Sequence, residues 1–259
     1  MLRRTSLVLA LQAFVAHSAF AGGGFNWLNS IAHGMHVSVH IVTFSMIALV
    51  ICGVGLVYRS KVSGASNAII PDKGTSFRNI IEAFGEFIYN LCKNIMGEKE
   101  AGKYFSTIAM IFLFIFMSNV IGLVPGFLPP TEDINTTLAL GLFVFLFYNY
   151  QGIKEQGLVG HIKHFMGPVW YLAILIFPIE LISHGVRPLS LALRLRGNMS
   201  GDHMVLSIFS DMVPYVVPIV FLILGLFVCF IQAFVFTLLS MVYISLATEH
   251  HDHDEAGAH

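Results

Sequence analysis

Residues 183–203 read SHGVRPLSLALRLRGNMSGDH and place Arg187, Arg194, Arg196, Asp202 and His203 inside a C-terminal region otherwise apolar enough to lie within a bilayer. An arginine at the centre of a membrane helix costs ~3 kcal/mol or more, so ionisable residues at that depth read as functional. At ~100° per residue, Ser190, Arg194, Gly197, Asn198 and Gly201 fall within roughly 60° of the Arg194 direction. That face is a strip of small residues around one cation. Small residues let another helix approach closely, so the expected partner slides along this strip and carries a group the guanidinium can pair with, most simply a carboxylate. His203, nine residues on, points about 180° away. A cation aimed at a partner and a titratable group aimed at another compartment suggest proton handling.

The rest of the chain supports a membrane setting. Its 259 residues are 56% hydrophobic and 11% charged, with mean hydropathy +0.77, and the length suits one membrane domain, 22–249. Net charge −1 excludes a nucleic-acid binder of the usual basic kind. Cys52, Cys92 and Cys229 are odd in number and widely spaced within apolar runs, which indicates buried hydrophobes rather than disulfides or a metal site. Residues 1–21 have a basic start at Arg3 and Arg4, an apolar core and an Ala19-Phe20-Ala21 cleavage pattern, as in a secretory signal. Because no acid precedes Asp72, a mitochondrial presequence is the rival reading, and an uncleaved first helix is the third. The tail, 250–259, reads as disordered and solvated, with histidines that could bind metal adventitiously.

The expected fold class is an all-α integral membrane protein with about five to six membrane helices and one interfacial amphipathic helix, the last two spans long and strongly tilted. Val37–Tyr58 is a charge-free first span; Tyr104–Val124 and Thr137–Tyr150 are the second and third. His33, His36 and His40 at i, i+3 and i+7 form one face of a helix entering the membrane, either as interfacial residues or as a proton-collecting or metal-binding cluster. Ser76–Met96 alternates Ile, Phe and Leu with Arg78, Glu82, Glu86 and Lys93 at helical spacing, and its polarity favours the interface over spanning. Arg59, Lys61, Lys154 and Lys163 place Lys and Arg outside the Arg194 helix on one side, the cytoplasmic or matrix side. The loop PGFLPPTEDINTT breaks the chain and turns Glu132 and Asp133 outward. Pro168–Ile182, with Pro178 and Glu180, is too short to span and reads as re-entrant. VPYVVP is an outer turn, and Pro218–Leu246 exceeds the bilayer thickness and must tilt.

Three polar side chains stand out beyond the Arg194 helix. Asn119 either bonds between helices or lines an aqueous channel. Gln232 is the amide in the middle of the last helix, expected to bond across to the Arg194 helix. Glu180 either pairs with Arg187 or another subunit, or lines an aqueous vestibule. Arg196 points away from Arg194, with Asp202 its expected counter-ion. No cofactor motif is present: there is no GxxxxGK[ST] loop for ATP and no HExxH for a metalloenzyme.

SLALRLRGNMSGDH (190–203), with GLVPGFLPPTEDINTTLALGL (122–142) and IQAFVFTLLSMVYISLATEHH (231–251), resembles subunit a of the rotary F-type ATP synthases over about His33 to His251. The resemblance implies a non-catalytic stator subunit without cofactors. It faces a rotating ring of carboxylate-bearing subunits, the c-ring, beside peripheral-stalk b subunits and the rest of the complex. Protons pass through two offset half-channels and drive ATP synthesis. It implies that Arg194 is the essential arginine, Asn198 the polar residue a turn later, His203 the outer relay, Gln232 the glutamine of the last helix and Glu180 the acidic residue before the Arg helix. The expected setting is a bacterial inner membrane, N-terminus outside and C-terminus cytoplasmic, with the mitochondrial inner membrane as alternative. One departure is Gly225, where many relatives have His or an acid paired with the His203 position; Asn119, Asp202 or water would then serve. A self-contained channel or secondary transporter would show inverted repeats, and the chain has no internal repeat.

Overall fold

A computed structural model describes residues 26–63, 76–124, 126–166, 173–212 and 217–248, with the side chains of 63, 158–166, 173–177, 180, 181, 203, 206, 207, 210–212, 217 and 218 outside the description. The leader, the outer turn at 213–216 and the tail beyond 248 also lie outside it. Among the described residues the chain is helical and contains no strand. Its elements are α1 (Asn29–Met35), α2 (Val39–Ser63), α3 (Phe77–Met96), α4 (Glu98–Gly122), a 3-10 turn (Pro130–Glu132), α5 (Ile134–Met166), α6 (Ala173–Met212) and α7 (Val217–Thr248). Four stretches are long and apolar enough to cross a membrane: Val39–Val62, Glu98–Gly122, Ile134–Gly157 and Ile219–Thr248. With the charged but longer α6, they make the expected multi-pass fold. The interior is a zip of aliphatic and aromatic side chains, while Leu49, Leu56 and Ile223 lie outward, the reverse of the pattern a water-facing surface would need.

α3 is amphipathic as its spacing predicts. It folds back along α4, with Tyr89 against Phe105 and Phe84 against Phe112. The corner between them is Gly97, whose φ of 82° suits glycine because it has no Cβ to clash. Lys93 closes the corner on Glu98 at 2.7 Å. Lys103 pairs with Glu155, and Lys61 sits over the Phe77 ring. One end of the bundle therefore gathers the cations of three helices and Glu155 of a fourth.

Three expectations change. The third span is longer than Thr137–Tyr150, running from Ile134 to a break at Gly157, where φ is 73°. The three histidines do not share a helix face: α1 ends at His36, which takes a left-handed φ of 53°, and His40 begins a new helix with Nδ1 3.3 Å from the Pro129 carbonyl. Most consequentially, from Ala173 onward there is no separate re-entrant segment. The helix continues through Pro178 and Pro188 into the Arg194 stretch as one 40-residue element, ~60 Å long. A proline removes one helical hydrogen bond. Unwinding a whole turn in hydrocarbon would orphan several backbone groups at several kcal/mol each, so the continuous helix wins. At that length α6 must lie strongly inclined to the bilayer normal.

α6 and α7 run antiparallel in a register that is easily read. Arg187, Asn198 and Phe209 stand eleven residues apart on α6, and they meet Tyr243, Gln232 and Phe221, eleven apart in the reverse sense on α7. Eleven residues are close to three full turns, so each helix presents nearly one face to the other throughout. α5 approaches α6 closely at Gly141: a Cβ there would lie 2.6 Å from the Pro188 carbonyl oxygen. A residue with no side chain is what permits that backbone contact.

Candidate proton-handling site

α6 has two faces. Leu191, Ala192, Leu195 and Met199 are buried against α5 and α7. Ser190, Arg194, Gly197, Asn198 and Gly201 are exposed, and a Cβ added at Gly197 or Gly201 would meet nothing within 4 Å. The small-residue strip inferred from helical geometry is therefore an open surface on the folded chain. Arg194, 22nd of the 40 residues of α6, forms no ion pair among the described residues. A guanidinium in an apolar slab without a counter-ion is unfavourable, and its position on an open face leaves that counter-ion to come from outside the chain.

One turn beyond Arg194, Asn198 Nδ2 donates to Gln232 Oε1 at 2.6 Å. This is the cross-helix bond expected of Gln232. Gln232 is only 4% exposed, and its Nε2 has no partner among the described residues. Asn119, also buried, accepts at Oδ1 from Thr131 Oγ1 at 2.7 Å. Asn119 thus bonds to the 3-10 turn rather than to a neighbouring long helix, and it lines a small cavity shared with Asn198, Asp202 and Gln232. The cavity measures about 10 Å³, the size of one water. Helices α4, α6 and α7 each contribute, so the site exists only once all three have packed.

The remaining predicted residues fall as follows. Glu180 and His203 lie within α6, with side chains outside the described residues. The continuous helix sets their axial positions: Glu180 is about 21 Å before Arg194 and His203 about 13 Å beyond it. The expected pairing of Arg196 with Asp202 does not form. On one helix the two lie six residues and about 240° apart, and Asp202 turns to the cavity. Arg187 places its guanidinium 5.0 Å from the centre of the Tyr243 ring. At Gly225 the space is taken by an apolar group: a Cβ there would come 2.8 Å from Leu123 Cδ2. Thr131 escaped the sequence reading, because a threonine after two prolines in a polar loop carries no signal that it will bury itself beside Asn119. Among the described residues no cluster of three or more metal-ligating side chains occurs.

Comparison with known proteins finds relatives along most of the chain. The family model described as ATP synthase A chain matches residues 26–245. A protein of Bdellovibrio bacteriovorus named ATP synthase subunit a is 47% identical over 230 residues, covering 88% of this chain and 99% of the relative. One of Geobacter sulfurreducens with the same name is 49% identical over 176 residues, 68% of this chain and 76% of the relative. A Syntrophotalea carbinolica protein, ATP synthase subunit a 1, is 45% identical over 211 residues, 82% of this chain and 86% of its own. The match extends through all the long helices and the Arg194 face, and on that basis the chain belongs to the ATP synthase subunit a family.

Proposed function

We propose that the chain is the proton-conducting stator subunit of an F-type ATP synthase and that Arg194 is the residue through which it meets the rotor. The observation that carries this is the exposed Arg194, without an ion pair among the described residues, on a strip of small residues. A continuous aqueous path through the bilayer would leak protons. Two offset half-channels do not, provided each proton must ride on a moving carboxylate of the c-ring between them. Arg194 then attracts the ionised carboxylate as it passes and blocks direct hopping between the half-channels. Arginine suits this better than lysine, since it keeps its proton at any accessible pH. Each proton falling through ~100 mV releases ~2.3 kcal/mol, so several must be combined for one ATP, and a rotor combines them.

In this reading His203 relays protons on the outer side, its ordinary pKa being near working pH, and Glu180 lines the inner vestibule. The Asn198–Gln232 bond holds α6 and α7 in register at the level of the guanidinium. Ser190, Gly197 and Gly201 give the ring helices clearance. The cation-rich end, with Lys61, Lys93, Lys103 and Lys154, faces the cytoplasm, which puts the N-terminus outside and the C-terminus inside a bacterial inner membrane. Residues 1–21 serve as a cleaved signal. The subunit has no catalytic step of its own; its partners are the c-ring, the peripheral-stalk b subunits and the surrounding lipid.

The test is ATP-driven proton uptake into inverted vesicles containing the assembled complex, wild type against Arg194→Ala. Uptake should vanish while the detached catalytic portion still hydrolyses ATP. Uptake at the wild-type rate would make Arg194 structural and remove the stator reading at its centre.

A further inference from the structure

We propose that α1 is an interfacial anchor whose Trp27, Ile31 and Met35 lie at the boundary between headgroups and acyl chains, in the leaflet opposite the cation-rich end. The inference goes beyond the stator reading and stands whichever residues move the proton. At ~100° per residue, α1 (Asn29–Met35) divides into three arcs. Leu28 and Ala32 form a buried one. Ile31 and Met35, with Trp27 a turn earlier, form an apolar one that is 51%, 55% and 62% exposed. Asn29, Ser30 and His33, also exposed, fill the far side, roughly 100–200° from Ile31. A helix between a protein core and water needs only two faces, one apolar and one polar. Protein, hydrocarbon and water together require three.

Chain geometry puts this helix at the bilayer boundary. His36 takes a left-handed φ of 53°, and the His36 and Val37 N–H groups bond back to the His33 and Ala32 carbonyls at 3.3 and 3.1 Å. Such a cap ends α1 and redirects the chain. α2 begins at Val39, and the three intervening residues reach at most ~10 Å. α1 is therefore held at the end of a membrane-crossing helix that exposes Ile41 and Leu49 at 52% and 73%, and its apolar arc continues that lipid-facing surface. Lipid is also the occupant that the composition fits. Tryptophan concentrates at membrane–water interfaces because its ring is amphipathic, and a helix with one apolar and one polar face settles at headgroup level. The apolar arc has no charge for a protein partner to pair with, and three side chains offer well under the ~800 Å² per side that a stable protein interface buries.

The anchor is fastened to the loop that follows α4. The Trp27 N–H donates to the Gly126 carbonyl at 3.1 Å. A Cβ at Gly126, where φ is 83°, would lie 2.5 Å from Trp27 Nε1, so the indole rests directly on that glycine. His40 Nδ1 stands 3.3 Å from the Pro129 carbonyl, and two residues further the Thr131 hydroxyl donates to buried Asn119. Fixing α1 in the leaflet thus also fixes the height of the loop whose end reaches Asn119.

The test uses the complete native complex in lipid vesicles that contain a phospholipid with a diazirine near the carboxyl end of one acyl chain. Light turns the diazirine into a carbene that inserts into the nearest bond, and fragmentation mass spectrometry locates the adducts. Ile31 and Met35 should carry at least about tenfold more adduct than Ser30 and His33, because a probe borne on the acyl chain stays off the water-facing side. Equal adduct on the two faces, or none on Ile31 and Met35 while Ile41 is labelled, would overturn the proposal. A second measurement decides whatever the labelling yield. A nitroxide is attached at Ile31→Cys or at Ser30→Cys in a complex whose native cysteines, Cys52, Cys92 and Cys229 included, are replaced by serine. Molecular oxygen, which concentrates in hydrocarbon, should relax the label at position 31 more than a water-soluble nickel chelate does, and the order should reverse at position 30. Stronger relaxation by the chelate at position 31 would place that face in water, and weak relaxation by both would place it under another subunit. Either result overturns the assignment to lipid.

Discussion

Adding one methyl group at Gly141 tests the packing that carries the Arg194 row. Its Cβ would lie 2.6 Å from the Pro188 carbonyl oxygen and 3.3 Å from the carbonyl carbon. The first distance is about 0.8 Å short of the 3.4 Å at which ordinary contact begins. Both neighbours are backbone, so no side chain can rotate away, and α5 and α6 must separate. Overpacking of this kind costs ~1–3 kcal/mol. Alanine returns up to ~1 kcal/mol through its better helix propensity, which with full return leaves a net loss of up to ~2 kcal/mol, or as much as roughly thirtyfold in equilibrium constant. Gly53→Ala in α2 is the matched control. Nothing lies within 4 Å of its added Cβ, so the propensity gain stands alone and the sign reverses. The assay is the temperature at which the detergent-solubilised complex loses this subunit, followed by proton pumping at a permissive temperature. Gly141→Ala should come off earlier than wild type and Gly53→Ala no earlier. Because Pro188 is only six residues before Arg194, pumping should fall in Gly141→Ala beyond what the loss of subunit explains. Equal release temperatures for the two variants would refute the argument that the α5–α6 contact is backbone-limited.

Two more outcomes follow from buried polar chemistry. Thr131→Val deletes the hydroxyl that Asn119 Oδ1 accepts from at 2.7 Å and leaves a buried acceptor unmatched, which should cost ~1–3 kcal/mol; the double change Thr131→Val with Asn119→Leu should recover part of that in the same release assay, whereas additive losses would show that the pair is not coupled. Burial pushes the Cys92 thiol from an ordinary 9.0 up to about 11. The folded state thus holds that proton more tightly than the unfolded one, so its stabilising effect is complete below pH 9 and is lost as pH rises toward 11. With Cys52 and Cys229 replaced by serine, alkylation of native Cys92 should be negligible at pH 8 and rise only as pH nears 11. Rapid labelling at pH 8 would mean that α3 does not bury it against α4.

The membrane class, the amphipathic α3, the long last helix and the Arg194 face were all legible along the chain, because each depends on hydropathy or on the angle between residues of one helix. A bilayer makes those local signals strong by forbidding unsatisfied backbone. The same reasoning misjudged Pro168–Ile182, where a proline and a short apolar count pointed to a break, and His33–His40, where a turn at His36 separates residues with helical spacing. In both places the choice between one helix and two is decided by what packs alongside.

Sequence alone therefore determined that Arg194 sits in a strip of small residues, since 100° per residue needs no neighbour to apply. Only the tertiary structure decided that Asn119, Asn198, Asp202 and Gln232 surround one cavity, that Thr131 satisfies Asn119, and that Leu123 closes the space beside Gly225. Those groups come from three helices and a loop up to 113 residues apart in the chain. Their meeting depends on an antiparallel register set by side-chain packing, which no periodicity within a single helix encodes.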